Sequence, residues 1–134
     1  MPGPSTAGVF HVNFHTNRRR PVFLDVERAA WLQRVVAELV ERNDLVCLAS
    51  AVMPTHVHLL LLGWPDLPVG KAVQLVKGAS SRAFFVEFPY LREDLGGHLW
   101  QAGYDCVQVS THRQCVAARA YIWGNPRRAE LTRR

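Results

Sequence analysis

The sequence predicts an α+β fold: a ferredoxin-like, split βαβ antiparallel sheet with helices on one face and an extra C-terminal helix. Three observations predict it. The apolar spacing switches between a period of two and a helical period in the order β-α-β-β-α-β-α, which is that motif plus one helix. Only Pro54-Thr55 separates the two middle strands, so they pair as a hairpin. The 134 residues contain no internal repeat and no linker, as expected of one domain.

The elements follow in order. Residues 1–8 are small and rich in Pro and Gly, with neither a basic start nor an apolar core; they read as a flexible tail and not as a signal peptide. From residue 9 to 134 the chain reads as a single domain. Over residues 9–16, Val9, His11 and Asn13 alternate with Phe10, Val12 and Phe14, the mark of a strand with two unlike faces. Residues 18–21 form a basic turn. Asp25 is placed to cap a helix over residues 26–42, whose stripe is Leu32, Val35, Val36, Leu39 and Val40. Residues 45–53 and 56–62 are apolar strands, and residues 64–68 a loop. Val69, Val73, Val76, Ala79 and Ala83 recur at helical spacing over residues 69–88. Gly96-Gly97 marks a turn. Residues 99–110 contain a strand interrupted at Ala102-Gly103. The last helix starts at Thr111 and is expected to stop near Asn125, because the residue before Pro126 is disfavoured from the α conformation.

Composition narrows the function classes. At 49% hydrophobic and 20% charged, the chain can build a core and is not a disordered tail. No stretch reaches the length of a membrane span, so no membrane partner is expected. Cys47, Cys106 and Cys115 are odd in number and form no CxxC pair, which argues for buried thiols in a reducing cytoplasm. A zinc site from Cys106, His112 and Cys115 fits no standard spacing. The net charge is +5, and the excess is clustered at Arg18-Arg19-Arg20, Arg127-Arg128 and Arg133-Arg134. Such clusters suit a polyanion, with nucleic acid first.

The chemistry concentrates at two places. In His56-Val57-His58 the two histidines share one face of a strand, and two neighbouring imidazoles can grip one metal ion. Two satisfied strand histidines would give the same pattern. In Tyr121-Ile122-Trp123-Gly124-Asn125, residues four apart share a helix face, so a phenol and an amide can aim at one place. A phenol is a poor nucleophile at neutral pH, and a metal held by His56, His58 and Asn125 would polarise a phosphate for it. A packed aromatic and a helix cap are the plainer readings of Tyr121 and Asn125. Tyr90 and Tyr104 are rival nucleophiles, but neither has an amide four residues on. Other His-x-His chemistry fits less well; a histidine-triad hydrolase needs a third alternating histidine where this chain has Leu60.

With these residues in place the chain resembles the single-tyrosine HUH transposases. Residues 53–62 look like their His-hydrophobic-His motif. Residues 75–85, Phe88-Pro89-Tyr90-Leu91, Gly96-Gly97-His98-Leu99-Trp100 and Gly103-Tyr104 are similar to the middle of small insertion-sequence members. Tyr121-Ile122 with Asn125-Pro126-Arg127-Arg128-Ala129, and Phe10-His11-Val12 with Arg18 to Phe23, resemble the REP-associated branch. The resemblance spans about residues 9–131. It implies a metal-dependent single-strand DNA endonuclease and strand transferase that forms a 5′-phosphotyrosine at hairpin- or palindrome-bearing DNA. It further implies a homodimer of ferredoxin-like subunits and a divalent metal, Mg²⁺ or Mn²⁺. By position, Tyr121 is then the nucleophile and His56 and His58 are metal ligands. Insertion-sequence members often place Gln where this chain has Asn125, one methylene shorter. Arg18, Arg19, Arg20, Lys77, Arg82, Arg127 and Arg128 are the candidates for DNA contact. The alternative from another class is a catalytically silent, domesticated protein that only binds DNA hairpins.

Overall fold

The computed structural model describes the backbone of residues 7–132 and the side chains of residues 7–124. Most of the expected flexible tail, residues 1–6, lies outside the described residues, and Gly8 already belongs to the first strand. The elements are β1 (Gly8–His15), α1 (Val26–Arg42), β2 (Val46–Val52), β3 (His56–Gly63), α2 (Val69–Glu87), β4 (Asp105–Val109) and α3 (His112–Thr132). The four strands form one antiparallel sheet in the order β2-β3-β1-β4, the expected split βαβ arrangement.

Helices α1 and α2 cover one face. The alternation in β1 puts Phe10, Val12 and Phe14 on that face, beside Val57, Leu59 and Leu61 of β3. They pack against Leu32 and Val36 of α1 and Val69, Ala72, Val73, Val76 and Phe84 of α2. Asp25 caps α1 as its sequence position requires, its Oδ1 accepting from the amides of Glu27 at 2.9 Å and Arg28 at 3.1 Å. The buried Trp100 indole donates to Ser80 Oγ at 2.9 Å and stacks on Phe23, which ties the loop before β4 to α2. The interruption expected at Ala102-Gly103 is real: Gly103 has φ +82, a left-handed conformation that favours glycine, and β4 begins only at Asp105.

Helix α3 covers the other face. Its anchor is Ile122, fully buried against Ala49, Ala51 and Leu60. Ala49 and Ala51 lie two residues apart on β2 and so share the face that Ile122 packs on. With both faces covered, β3 reads as a near-continuous apolar run, as its sequence does. The end of α3 differs from expectation, since the backbone stays helical through Pro126 to Thr132. Proline has a φ compatible with a helix, so the backbone can continue even though the bond to the Ile122 carbonyl is lost and a proline ring crowds that carbonyl.

Candidate active site on the second sheet face

The strand register assembles the site. His58 of β3 lies opposite Asn13 of β1, and His56 lies opposite His15. Across β1, Asn13 also lies opposite Asp105 of β4. Direct cross-strand partners share a face. His11, Asn13, His15, His56, His58 and Asp105 therefore gather on the face that α3 covers.

The rings are close. Ring centroids are 4.9 Å apart for His56 and His58, 5.1 Å for His15 and His56, and 5.2 Å for His11 and His58. Their nitrogens are held. His58 Nδ1 is 3.0 Å from His11 Nε2, so one ring donates and the other accepts. His56 Nδ1 is 3.1 Å from Thr55 Oγ1. Burial lowers the pKa of all four histidines. His58 falls furthest, to about 4, through burial first and then the neighbouring rings of His56, His11 and His15. At neutral pH these are uncharged imidazoles.

Helix α3 brings in Tyr121. Its ring is 6.0 Å from His58 and 6.3 Å from His11, centroid to centroid. The adjacent Ile122 fixes the rotation of the helix by burying itself against β2 and β3. Tyr121 stays 48% exposed.

The donor set fits a divalent cation. Neutral imidazoles are the ligating form. Both His56 and His58 form their hydrogen bonds through Nδ1, a contact that orients the ring and leaves Nε2 for a metal. Among the described residues no three His, Cys, Asp or Glu side chains form a ready cage. Asn13 Oδ1, beneath this group, is the one buried side-chain N or O atom among the described residues without a hydrogen-bond partner. The side chains of Asn125, Arg127 and Arg128 lie outside the described residues.

The remaining candidates separate. Tyr104 turns its hydroxyl to the start of α2, 2.9 Å from where a Cβ on Gly70 would stand, and Tyr90 lies in the turn after α2 on Phe88. Lys77 is not a surface contact: it is buried, and its ammonium donates to the carbonyls of Gln101 at 3.0 Å and Gly103 at 2.6 Å. The apolar stripe of α2 explains this, because Lys77 follows Val76 on the inner side and satisfies its charge on the loop below. Arg82 is exposed on α2, so the sheet stands between it and the histidines. Arg18 donates to the Asp94 carbonyl at 3.2 Å, and Arg20 pairs with the Asp94 carboxylate at 3.3 Å. Arg19 alone of the three turns towards the histidines, where its charge lowers the pKa of His15 and His56. Sequence reasoning missed His11, Asn13 and His15 as members of the site. Their alternation in β1 was visible, but only pairing with β3 shows that their face is the one His56 and His58 use.

No helix among the described residues is long and apolar enough to cross a membrane. Comparison with known proteins agrees with the geometry. The family described as Transposase IS200 like matches residues 5–125. The ISDra2 transposase TnpA of Deinococcus radiodurans is 36% identical over 102 residues, covering 75% of this chain and 72% of that protein. A crystal structure of a transposase from Deinococcus radiodurans R1 has a TM-score of 0.70 and 33% identity, over 86% of this chain and 88% of that one. A REP-associated tyrosine transposase bound to a REP hairpin shares the fold, with a TM-score of 0.68 at 15% identity, over 92% of this chain and 68% of that one. A histidine-lined sheet face under a tyrosine-bearing helix, in a chain matched almost end to end, places this protein in the IS200-like transposase family, whose work is DNA transposition.

Proposed function

We propose that this chain is a divalent-metal-dependent endonuclease and strand transferase for single-stranded DNA, with Tyr121 as nucleophile. His56 and His58 hold Mg²⁺ or Mn²⁺, and Asn125, or the unpartnered Asn13 oxygen, is available as an amide ligand. Mn²⁺ suits imidazole donors better and is the easier occupant in vitro. The observation that carries the reading is the position of Tyr121, 6.0 Å from the His58 ring and delivered by a separate element. When bound, the cation polarises the scissile phosphate and neutralises charge that builds on its oxygens.

The chain's own residues do the rest. The Tyr121 phenolic oxygen gives up its proton to solvent and attacks phosphorus, the 3′ oxygen of the preceding nucleotide leaves and takes a proton from solvent as a 3′-hydroxyl, and a 5′-phosphotyrosine ester keeps the energy of the broken bond for rejoining. His11 and Thr55 orient the two ligating rings. The partner DNA carries a hairpin or palindrome next to the cut. The net charge of +5 and the hairpin bound by the REP-associated structural neighbour support that choice. The working unit is a homodimer in the cytoplasm, acting at DNA.

The test is a denaturant-resistant adduct. The protein, a hairpin oligonucleotide with a single-stranded tail and Mn²⁺ should give a covalent protein–DNA band that chelator prevents. Tight hairpin binding without any adduct, over a range of flanking sequences, would leave the silent hairpin-binding protein as the answer.

A further inference from the structure

Beside the histidines lies a cavity of about 170 Å³ that the reaction described above does not use. It sits where β1 ends and β4 begins, lined by His15, Arg19, Gln101, Gly103, Tyr104 and Asp105 among others. It is smaller than the ~300–1,000 Å³ of sites for drug-sized ligands. Its walls are polar and of both signs.

The turn that carries Arg19 is built at a cost. Arg18 and Arg19 both have left-handed backbones, with φ +61 and +50, though neither is glycine. Such conformations are strained for residues other than glycine and persist only where the surroundings enforce them. Here they do. Asn17 donates its side-chain amide to the Leu95 carbonyl at 2.8 Å and its backbone amide to the Leu99 carbonyl at 2.8 Å, and Thr16 Oγ1 donates to the Arg20 carbonyl at 2.7 Å. Arg18 and Arg20 are both tied to Asp94, and Arg19 points the other way, into the cavity. The opposite wall is fixed as well. The buried Lys77 clamps the carbonyls of Gln101 and Gly103, so the loop cannot collapse into the space. Asp105 stands at the far side, in the same cross-strand row as Asn13 and His58.

We propose that this cavity is a nucleotide subsite that takes one nucleotide next to the phosphodiester attacked by Tyr121, with Arg19 on its phosphate and Gln101 and Asp105 facing its base edge. The inference rests on reading the His–Tyr face as a DNA-cleaving site. A guanidinium is the natural phosphate donor. The carboxylate of Asp105 accepts from an exocyclic amino group at the position of cytosine N4. Thymine presents a carbonyl and a methyl group where cytosine presents that amino group, and is selected against. Charge of one sign alone would hold any phosphate; an acid beside the arginine makes the site choose its base.

The experiment is a methylphosphonate scan of a tailed hairpin oligonucleotide, with each tail phosphate neutralised in turn and binding read by fluorescence anisotropy. For the wild type, one position next to the cut should lose affinity about tenfold, the size of one charge-assisted contact. The same scan on Arg19→Gln should be flat at that position, and its salt dependence should fall by about 0.7 in log–log slope, one phosphate contact on a single strand. Replacing the neighbouring base by thymine should weaken wild-type binding, and Asp105→Ala should abolish that preference. Arg82→Gln, on the far face, should behave as wild type. A wild-type scan with no sensitive position, or an Arg19→Gln protein that keeps the sensitive position, overturns the subsite while leaving the adduct result intact. Equal wild-type affinity for tailed and tailless hairpins would instead sink the cleavage-site reading and the subsite with it. The wild-type scan needs no variant, so a misfolded variant cannot hide the answer.

Discussion

His11 Nε2 lies 3.0 Å from His58 Nδ1, across the pairing of β1 with β3. The bond makes His11 a positioning residue for a ring it does not neighbour in sequence. If His58 gives Nε2 to a metal, its Nδ1 carries the proton and donates to His11 Nε2, which in turn fixes the His11 proton on Nδ1. Losing such a partner typically costs about 10- to 100-fold in metal affinity. His11→Ala should therefore weaken Mn²⁺ binding by that much, measured by calorimetry on protein without DNA, while thermal unfolding stays cooperative. His11→Gln keeps an acceptor and should recover part of the loss. Wild-type affinity in His11→Ala would leave the contact as packing only.

Tyr121→Phe should keep the fold and hairpin binding and lose covalent attachment entirely. The change removes one hydroxyl from a residue that is 48% exposed, so stability should move by only a few tenths of a kcal/mol, about the usual size for surface changes. Gel analysis of the Mn²⁺ reaction decides it. An adduct that survives in the Phe variant would move the nucleophile to another residue.

Acid should destabilise the protein in a window set by the histidines. All four have folded pKa values below the ordinary 6.5, and His58 lies at about 4. Between those two values the unfolded chain binds more protons than the folded one, so stability rises with pH. The full contribution is present above about pH 6.5 and is lost as pH falls towards 4. Urea midpoints of the metal-free protein should drop between pH 7.5 and 5. The drop should shrink in His58→Asn; an equal drop in both proteins would show that carboxylates and not this cluster set the acid limit.

Much of this was legible in the chain, and the rest fails for identifiable reasons. Asp25 with the stripe from Leu32 to Val40 predicted α1 as it stands, because a cap and an amphipathic period are both local. His56, His58 and Tyr121 stand out in the sequence because each pairs with a partner at fixed spacing, and the fold brings the three rings together. His11, Asn13 and His15 were not, since their role depends on register with a strand about 45 residues away. Lys77 reads as a DNA contact because sequence shows a charge and not the two carbonyls that satisfy it. Arg18, Arg19 and Arg20 looked alike because their division between Asp94 and the cavity is decided by two left-handed residues. The length of α3 is not legible from Pro126, because a proline's cost to a helix is local and says nothing of the turns on either side.

Asn13→Leu should raise the stability of the metal-free protein. Asn13 Oδ1 is buried with no partner, and such a group costs about 1–3 kcal/mol. Leucine removes that cost in a similar volume, so the urea midpoint should rise by the equivalent of about 1 kcal/mol. If the oxygen serves the metal or DNA, the same variant should bind Mn²⁺ or tailed hairpin more weakly. A more stable protein with unchanged binding would show that the orphan oxygen has no part in the site; a less stable one would mean that ordered water already satisfies it.

Ile122→Ala should separate the mounting of Tyr121 from stability at large. Ile122 is fully buried between α3 and the residues Ala49, Ala51 and Leu60, and it sets the rotation of the helix next to the nucleophile. Truncating a buried isoleucine costs about 2–5 kcal/mol. Leu32→Ala, in the core beneath α1, costs a similar amount on the opposite face of the sheet. The two variants should therefore melt at comparable temperatures. Their adduct rates should differ, because a displacement of about 1 Å in a reacting group can cost on the order of 100-fold. Measured well below both melting temperatures and at saturating DNA and Mn²⁺, Leu32→Ala should react near the wild-type rate and Ile122→Ala at least tenfold more slowly. Equal rates would mean that DNA, and not the small second core, positions Tyr121 over the histidines.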